Sequence, residues 1–226
     1  MASYVVGNSR ALLELSIDDV FRLDREPWVF ACNHFLAHWK IVGFRPSVWL
    51  WGDNQHAKCV EWAAEQFRAW VVDPALQART TRLFAAVEEY PRELELAVQH
   101  YAVPVRLLRR GQPWQREQTP ASRLEEPIYH HGSTLTDLVN MAWILNPGEE
   151  IRVIGNEYDG PFGHFYDPGA VNYADERAGE FWGAVQAAMW TGLGDLRHLH
   201  GLPILDCNPS HGRQPPGDVP RAPLFG

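Results

Sequence analysis

The segment Gly160-Pro161-Phe162-Gly163-His164-Phe165-Tyr166-Asp167 sets one imidazole among aromatic rings and two glycines. A loop histidine there can act as a general base near neutral pH, where an imidazole exchanges its proton. A histidine merely packed between Phe162 and Tyr166 would carry the same local sequence. His34 and His38 stand four residues apart and His198 and His200 two apart, so either pair could offer two nitrogens to a metal. No third ligand accompanies either pair at close spacing, so they read as surface or core histidines and no metal site is expected. His130-His131 precede Gly132-Ser133-Thr134, where a helix amino terminus could hold an anion; a charged loop explains them equally well.

A second regularity lies in small and amide residues that close apolar runs: Gly7-Asn8-Ser9, Asn33, Asp53-Asn54, Gly155-Asn156-Glu157 and Cys207-Asn208. Amides both donate and accept, which suits a base edge or ribose hydroxyls, while the Gly7 turn and the helix after it could lie against phosphate. Any one of these residues is explained by strand termination alone. As a set they would ring one edge of a sheet, and as a set they predict a binding edge.

The elements that would position them follow from apolar patterning. Tyr4-Val6, Trp28-Cys32, Val48-Trp51, Ala69-Val72, Ile151-Ile154 and Pro203-Cys207 are short continuous apolar runs, as buried parallel strands are. Helical spacing predicts a helix from about Ala11, one or two turns over 35–42, and helices over 55–67, near Leu83–Glu89, from the Ser133 cap to Leu145, and over Asp175–Met189. Strands alternating with helices imply an α/β, Rossmann-like fold, with a mainly parallel sheet, helices on both faces and ligands at the strands' carboxyl ends. One domain is expected over residues 1–226. Within it, 77–128 reads as a partly irregular insertion or lid, and 209–226, with Pro215, Pro216, Pro220 and Pro223, as an extended surface tail.

Composition narrows the partners. A net charge of −8 offers no general attraction to a nucleic acid polymer. No apolar run approaches the ~20 residues of a membrane span, and no leader pattern opens the chain, so a cytoplasmic protein is expected. Cys32, Cys59 and Cys207 make no close pair and read as reduced, buried thiols. Trp28, Trp49, Trp51, Trp143 and Trp182 sit in apolar segments and read mostly as core. Neither GxGxxG nor GxxxxGK[ST] occurs, which weakens dehydrogenase and ATPase readings.

In order, Val6-Gly7-Asn8-Ser9 before Leu12, Phe30-Ala31-Cys32-Asn33-His34-Phe35, Gly132-Ser133-Thr134 before an apolar helix, Ile151 to Tyr158, and Cys207-Asn208-Pro209-Ser210 resemble the bacterial family-42 sialyltransferases and the related DUF115 proteins. The resemblance covers most of the chain outside 77–128. It implies a Rossmann-like fold, a CMP-sugar donor and no metal requirement. Asn8, Asn33 and Ser133 or Thr134 would contact the nucleotide, and Asp53 or Asn54 would help hold the cytidine. His164 would take the proton of an acceptor hydroxyl as it attacks the anomeric carbon, while Tyr158 and Tyr166 would hydrogen-bond the departing phosphate. The sequence departs from the family at Ser9-Arg10, which replace a glycine and a proline, at Glu157, which replaces an aspartate, and in a shorter loop around His164.

The expectation is therefore a glycosyltransferase-like enzyme that takes a nucleotide-linked sugar and a glycan or other hydroxyl acceptor, with no further cofactor; a homo-oligomer is compatible. Two alternatives remain. One is pyrophosphoryl transfer of the hydroxymethylpterin diphosphokinase type, which would need Mg²⁺ and has only Asp53, Glu157 and Asp159 to offer it. The other is a non-catalytic nucleotide- or partner-binding domain.

Overall fold

The sheet begins in its own middle. In the computed structural model, which describes residues 1–53, 57–80, 82–88, 105–112, 118–156, 164–166, 176–209 and 215–226, β1 (Ser3–Val6) pairs in parallel with β2 (Val29–Cys32) on one side and β6 (Ile151–Ile154) on the other. From β2 the sheet continues through β3 (Val48–Trp51) and β4 (Leu83–Val87) to β5 (Arg106–Leu108), and beyond β6 lies β7 (Ile204–Asp206). The spatial order is β5-β4-β3-β2-β1-β6-β7, every neighbour parallel. This is a Rossmann-like α/β fold.

The inner strands β1, β2 and β3 are buried along their whole length because both sides of the sheet are covered there. Val5, Phe30, Cys32, Val48 and Leu50 join one cluster with Leu138 and Met141 of α5 (Thr134–Leu145) and Trp190 and Leu193 of α6 (Glu176–His198). Their strand neighbours face the other way. Tyr4, Val6, Val29 and Ala31 meet Leu23 of α1 (Ile17–Leu23) and Phe35 of α2 (Phe35–Val42), and Trp49 and Trp51 meet Phe67 of α3 (Ala57–Val72) and Leu76 of α4 (Pro74–Arg79). The connections from β1 outward thus lie on one face and those through α5 and α6 on the other, which right-handed crossovers require when the direction of winding reverses. Trp49 and Trp51 are fully buried, as expected for core rings, while Trp28 and Trp143 are half-buried; Trp190 is fully buried as well.

The helix starts are legible in residue chemistry. Ser16 and Asp19 form a reciprocal capping box on α1, Asp73 caps α4 with Pro74 in its first turn, and the Ser133 hydroxyl accepts from the Leu135 amide at 3.2 Å.

Three expected elements differ. Ala69–Val72 is not a strand but the last turn of α3; the row Trp70-Val71-Val72 looks continuous only because Phe67, Trp70 and Val71 continue a spacing of three and four. Leu83–Val87 is not a helix but β4. Its alanines favour a helix in isolation, yet between β3 and β5 small side chains suit a strand covered on both sides, and Ala85 and Ala86 are fully buried. The last helix runs past Met189 to His198. Gly192 and Gly194 are poor helix formers, but a Cβ at Gly192 would lie 2.8 Å from the His131 side chain and one at Gly194 2.3 Å from the Gly217 carbonyl oxygen, so close packing selects them.

The stretch 77–128, read from sequence as an insertion or lid, supplies the end of α4 and two sheet strands; within it, 81, 89–104 and 113–117 lie outside the described residues. Part of the tail lies along β7: Asp206 N donates to the Pro220 carbonyl at 2.9 Å, Ala222 N donates to the Asp206 carbonyl at 2.9 Å, and Val219 is fully buried. This covers a strand edge that would otherwise be open to pairing. Cys32 and Cys207 are free, buried thiols, and burial pushes the Cys207 thiol up to about 12. No helix among the described residues is long and apolar enough to cross a membrane.

Candidate active-site crevice

Winding reverses between β1 and β6, so their carboxyl ends flank the crevice where ligands of such sheets bind. Two glycines meet there. Gly7 N donates to the Ile154 carbonyl at 2.8 Å and Ser9 N to the Gly155 carbonyl at 2.9 Å. A Cβ on Gly7 would stand 2.2 Å from the Gly155 oxygen, and Gly155 holds a left-handed φ of 73°. The element after this turn is a five-residue 3-10 helix, Arg10–Glu14, with no side-chain cap. The Gly7 turn is therefore shaped by contact between strand ends, and the helix start expected to lie against phosphate is too short for that task.

Most strand-end amides are fasteners. Asn33, at φ 50°, accepts from Gly52 N at 2.8 Å and donates to Asp53 Oδ1 at 3.3 Å, tying the end of β2 to that of β3. Asn156 N donates to Asn208 Oδ1 at 3.0 Å, and Asn156 Nδ2 donates to Gln186 Oε1 at 3.3 Å, tying β6 to β7 and α6. Asn8 differs: its Nδ2 donates to the Cys32 carbonyl at 3.4 Å, but its Oδ1, buried, has no hydrogen-bond partner among the described residues, and neither has the Ser9 hydroxyl. Buried polar atoms are rarely left so unless a ligand or water completes them.

His164 lies directly over this pair. It bridges to Ser9, and the Asn8 carbonyl accepts from Phe165 N at 3.0 Å and lies 3.3 Å from His164 Nδ1. A carbonyl oxygen only accepts, so this contact selects the tautomer protonated on Nδ1. The Tyr166 ring stacks on His164 at 4.8 Å, on His38 at 4.5 Å and on His34 at 5.5 Å, while Trp62 meets His34 edge-on at 4.7 Å. His34 and His38, read from sequence as isolated surface or core residues, therefore belong with His164. A four-residue spacing put both on one side of α2, but nothing in the sequence joined them to a loop 126 residues further along. Burial first, then the neighbouring His164 and His38, push the His34 imidazole down to about 4; burial lowers His38 as well, against the opposing charge of Glu65.

On the opposite face a second imidazole is held by charge. Asp137, in the first turn of α5 and fully buried, accepts from Arg110 Nε at 2.7 Å and pairs with Arg110 Nη2 at 2.6 Å, and its other oxygen lies 2.6 Å from His130 Nδ1. Arg110 Nη2 also donates to Thr134 Oγ1 at 3.0 Å. A Cβ on Gly52 would strike both Arg110 and Thr134, so this glycine lets the end of β3 pass beneath them. Burial raises the Asp53 carboxyl above its usual range, and Arg110 partly offsets it. Ser133 and Thr134 are thus engaged in capping and in the Arg110 contact. The sequence reading missed Arg110 and Asp137, because an arginine after one strand and an aspartate inside a helix carry no local signature.

His198 is exposed at the end of α6, where its Nε2 lies 3.2 Å from the Gly217 carbonyl, well apart from either group. Asn54, Glu157, Tyr158 and Asp159 lie outside the described residues. Among the described residues no group of three or more histidine, cysteine, aspartate or glutamate side chains is arranged to hold a metal ion.

Fold and site together define a doubly wound α/β protein whose carboxyl edge carries an imidazole group on each face of the sheet. No family model, curated protein or solved structure matches the chain.

Proposed function

We propose that the chain is a sugar transferase that binds a nucleotide-linked donor, CMP-sugar by preference, along the carboxyl edge of its sheet and uses His164 as the base that deprotonates a hydroxyl acceptor. The observation that carries this reading is the contact of His164 Nδ1 with the Asn8 carbonyl, beside the unpartnered Asn8 Oδ1 and Ser9 hydroxyl. An acceptor oxygen and a hydroxyl suit the hydroxyls and amines of a nucleoside, while the tautomer of His164 suits proton removal. Tyr166, already against His164, is the candidate to hydrogen-bond the departing phosphate; Asp53 is the candidate to meet the nucleoside, and Asn33 and Asn156 support the edge rather than touch the ligand. The donor is the only co-substrate besides the acceptor.

A thermal-shift series with CMP, CDP, UDP, GDP, ADP, ATP and their sugars, with and without Mg²⁺, tests it, since ligand binding to the native state raises the melting temperature. CMP should stabilise without metal. His164→Ala should bind CMP as the native protein does and lose about 100-fold or more of CMP-sugar turnover. A response confined to ATP with Mg²⁺ would favour pyrophosphoryl transfer, and no response to any nucleotide would overturn the reading.

A further inference from the structure

We propose that His130, oriented by Asp137, is the proton donor to the departing phosphate, so that the crevice carries an acid on its α5 side and a base on its α2 side. This rests on the nucleotide-sugar reading above. An ionised carboxylate only accepts, so the 2.6 Å contact of Asp137 Oδ1 fixes the His130 proton on Nδ1 and makes Nε2 the nitrogen that exchanges. The rest of the residue is also held: His130 N donates to Gln118 Oε1 at 3.2 Å, and its carbonyl accepts from Gln118 Nε2 at 3.0 Å. The ring is mostly buried, with 14% of its surface exposed, and Nε2 has no hydrogen-bond partner among the described residues.

Charge balance is the second observation. Arg110 lies against the other oxygen of Asp137, so the carboxylate orients the imidazole without presenting a net negative charge to an incoming phosphate. α5 runs from the carboxyl edge of the sheet back to the start of β6, and its positive end lies beside His130. A twelve-residue helix favours an anion at that end.

The acceptor oxygen forms a bond to the anomeric carbon, and its proton passes to His164 Nε2. The bond from the anomeric carbon to the phosphate oxygen breaks, its electron pair staying on that oxygen, which takes the proton from His130 Nε2. His130 leaves the step neutral and His164 protonated, and solvent exchange restores both. Arg110 and Asp137 are positioning residues.

The test is the pH dependence of CMP release from CMP-sialic acid by the full chain. An acid must be protonated to work, so native activity should fall at high pH. His130→Gln should lose about 100-fold in kcat and with it the alkaline limb, while the Kd for CMP stays within about 3-fold. Asp137→Asn should weaken the alkaline limb without raising KM. His130→Asn, with its melting temperature measured, serves if the glutamine variant does not fold. Turnover within about 3-fold of native with the alkaline limb retained would overturn the assignment, even where CMP binding and the His164→Ala effect both hold. Absence of CMP binding and of turnover in the native protein would instead remove the nucleotide-sugar reading and this assignment with it.

Discussion

The two imidazole groups on the opposite faces of the carboxyl edge are held by opposite means. On the α5 side, His130 is fixed by a fully buried carboxylate that also binds Arg110, so position comes from directional, charge-assisted hydrogen bonds. On the α2 side, His34, His38 and His164 gather around the Tyr166 ring, and their position comes from stacking and burial. The first arrangement keeps formal charge inside the protein by pairing it. The second excludes charge, as the depressed His34 shows. A reaction that must give a proton at one end and take one at the other is served by such a contrast.

The contrast can be broken first at Asp137. Asp137→Ala leaves Arg110, with only 23% of its side chain exposed, without its counter-charge. The expected loss is about 3–5 kcal/mol, measured as a shift in the urea midpoint. A loss under about 1 kcal/mol would mean that Arg110 and His130 are not held as described.

Next comes acid. His34 is lowered from 6.5 to about 4 in the folded protein, so between those values the unfolded chain binds more protons. The contribution of His34 is fully present above about pH 6.5 and is lost as the pH falls toward 4, up to about 3 kcal/mol in all. His34→Gln should flatten the fall in stability between pH 6.5 and 4, and an unchanged slope would place its source elsewhere. Gly7→Ala, which sets a methyl group against the Gly155 carbonyl, should cost about 2 kcal/mol in a thermal or urea melt. The smallest effect belongs to Tyr166→Phe. The ring contacts with the three histidines survive, so stability should stay within about 0.5 kcal/mol of native, while CMP-sugar turnover falls if the hydroxyl meets the phosphate.

The sequence made the sheet legible wherever burial on both faces wrote a continuous apolar run, as at Tyr4–Val6, Val48–Trp51 and Ile151–Ile154. It failed where composition and position disagree: the alanines of β4 say helix, and the last turn of α3 imitates a strand. The strand-end amides were visible as a ring, but their roles were not. Asn33 and Asn8 read alike in sequence, yet Asn33 ties strand ends together and Asn8 keeps an unpartnered oxygen. The two imidazole groups were harder still, because each is assembled from segments far apart in the chain. His130 meets Asp137 only because the loop folds onto α5, and Arg110 reaches Asp137 only because β5 lies in the same sheet.

The central claim is that a nucleotide lies between these two groups. Histidine ring resonances followed by NMR during a titration with CMP, without metal, test it most directly. Resonances of His130 and His164 should shift together and saturate with one ligand, while those of His198 and His200 stay in place. A titration that moves neither His130 nor His164, or that moves His198 and His200 instead, would contradict the account.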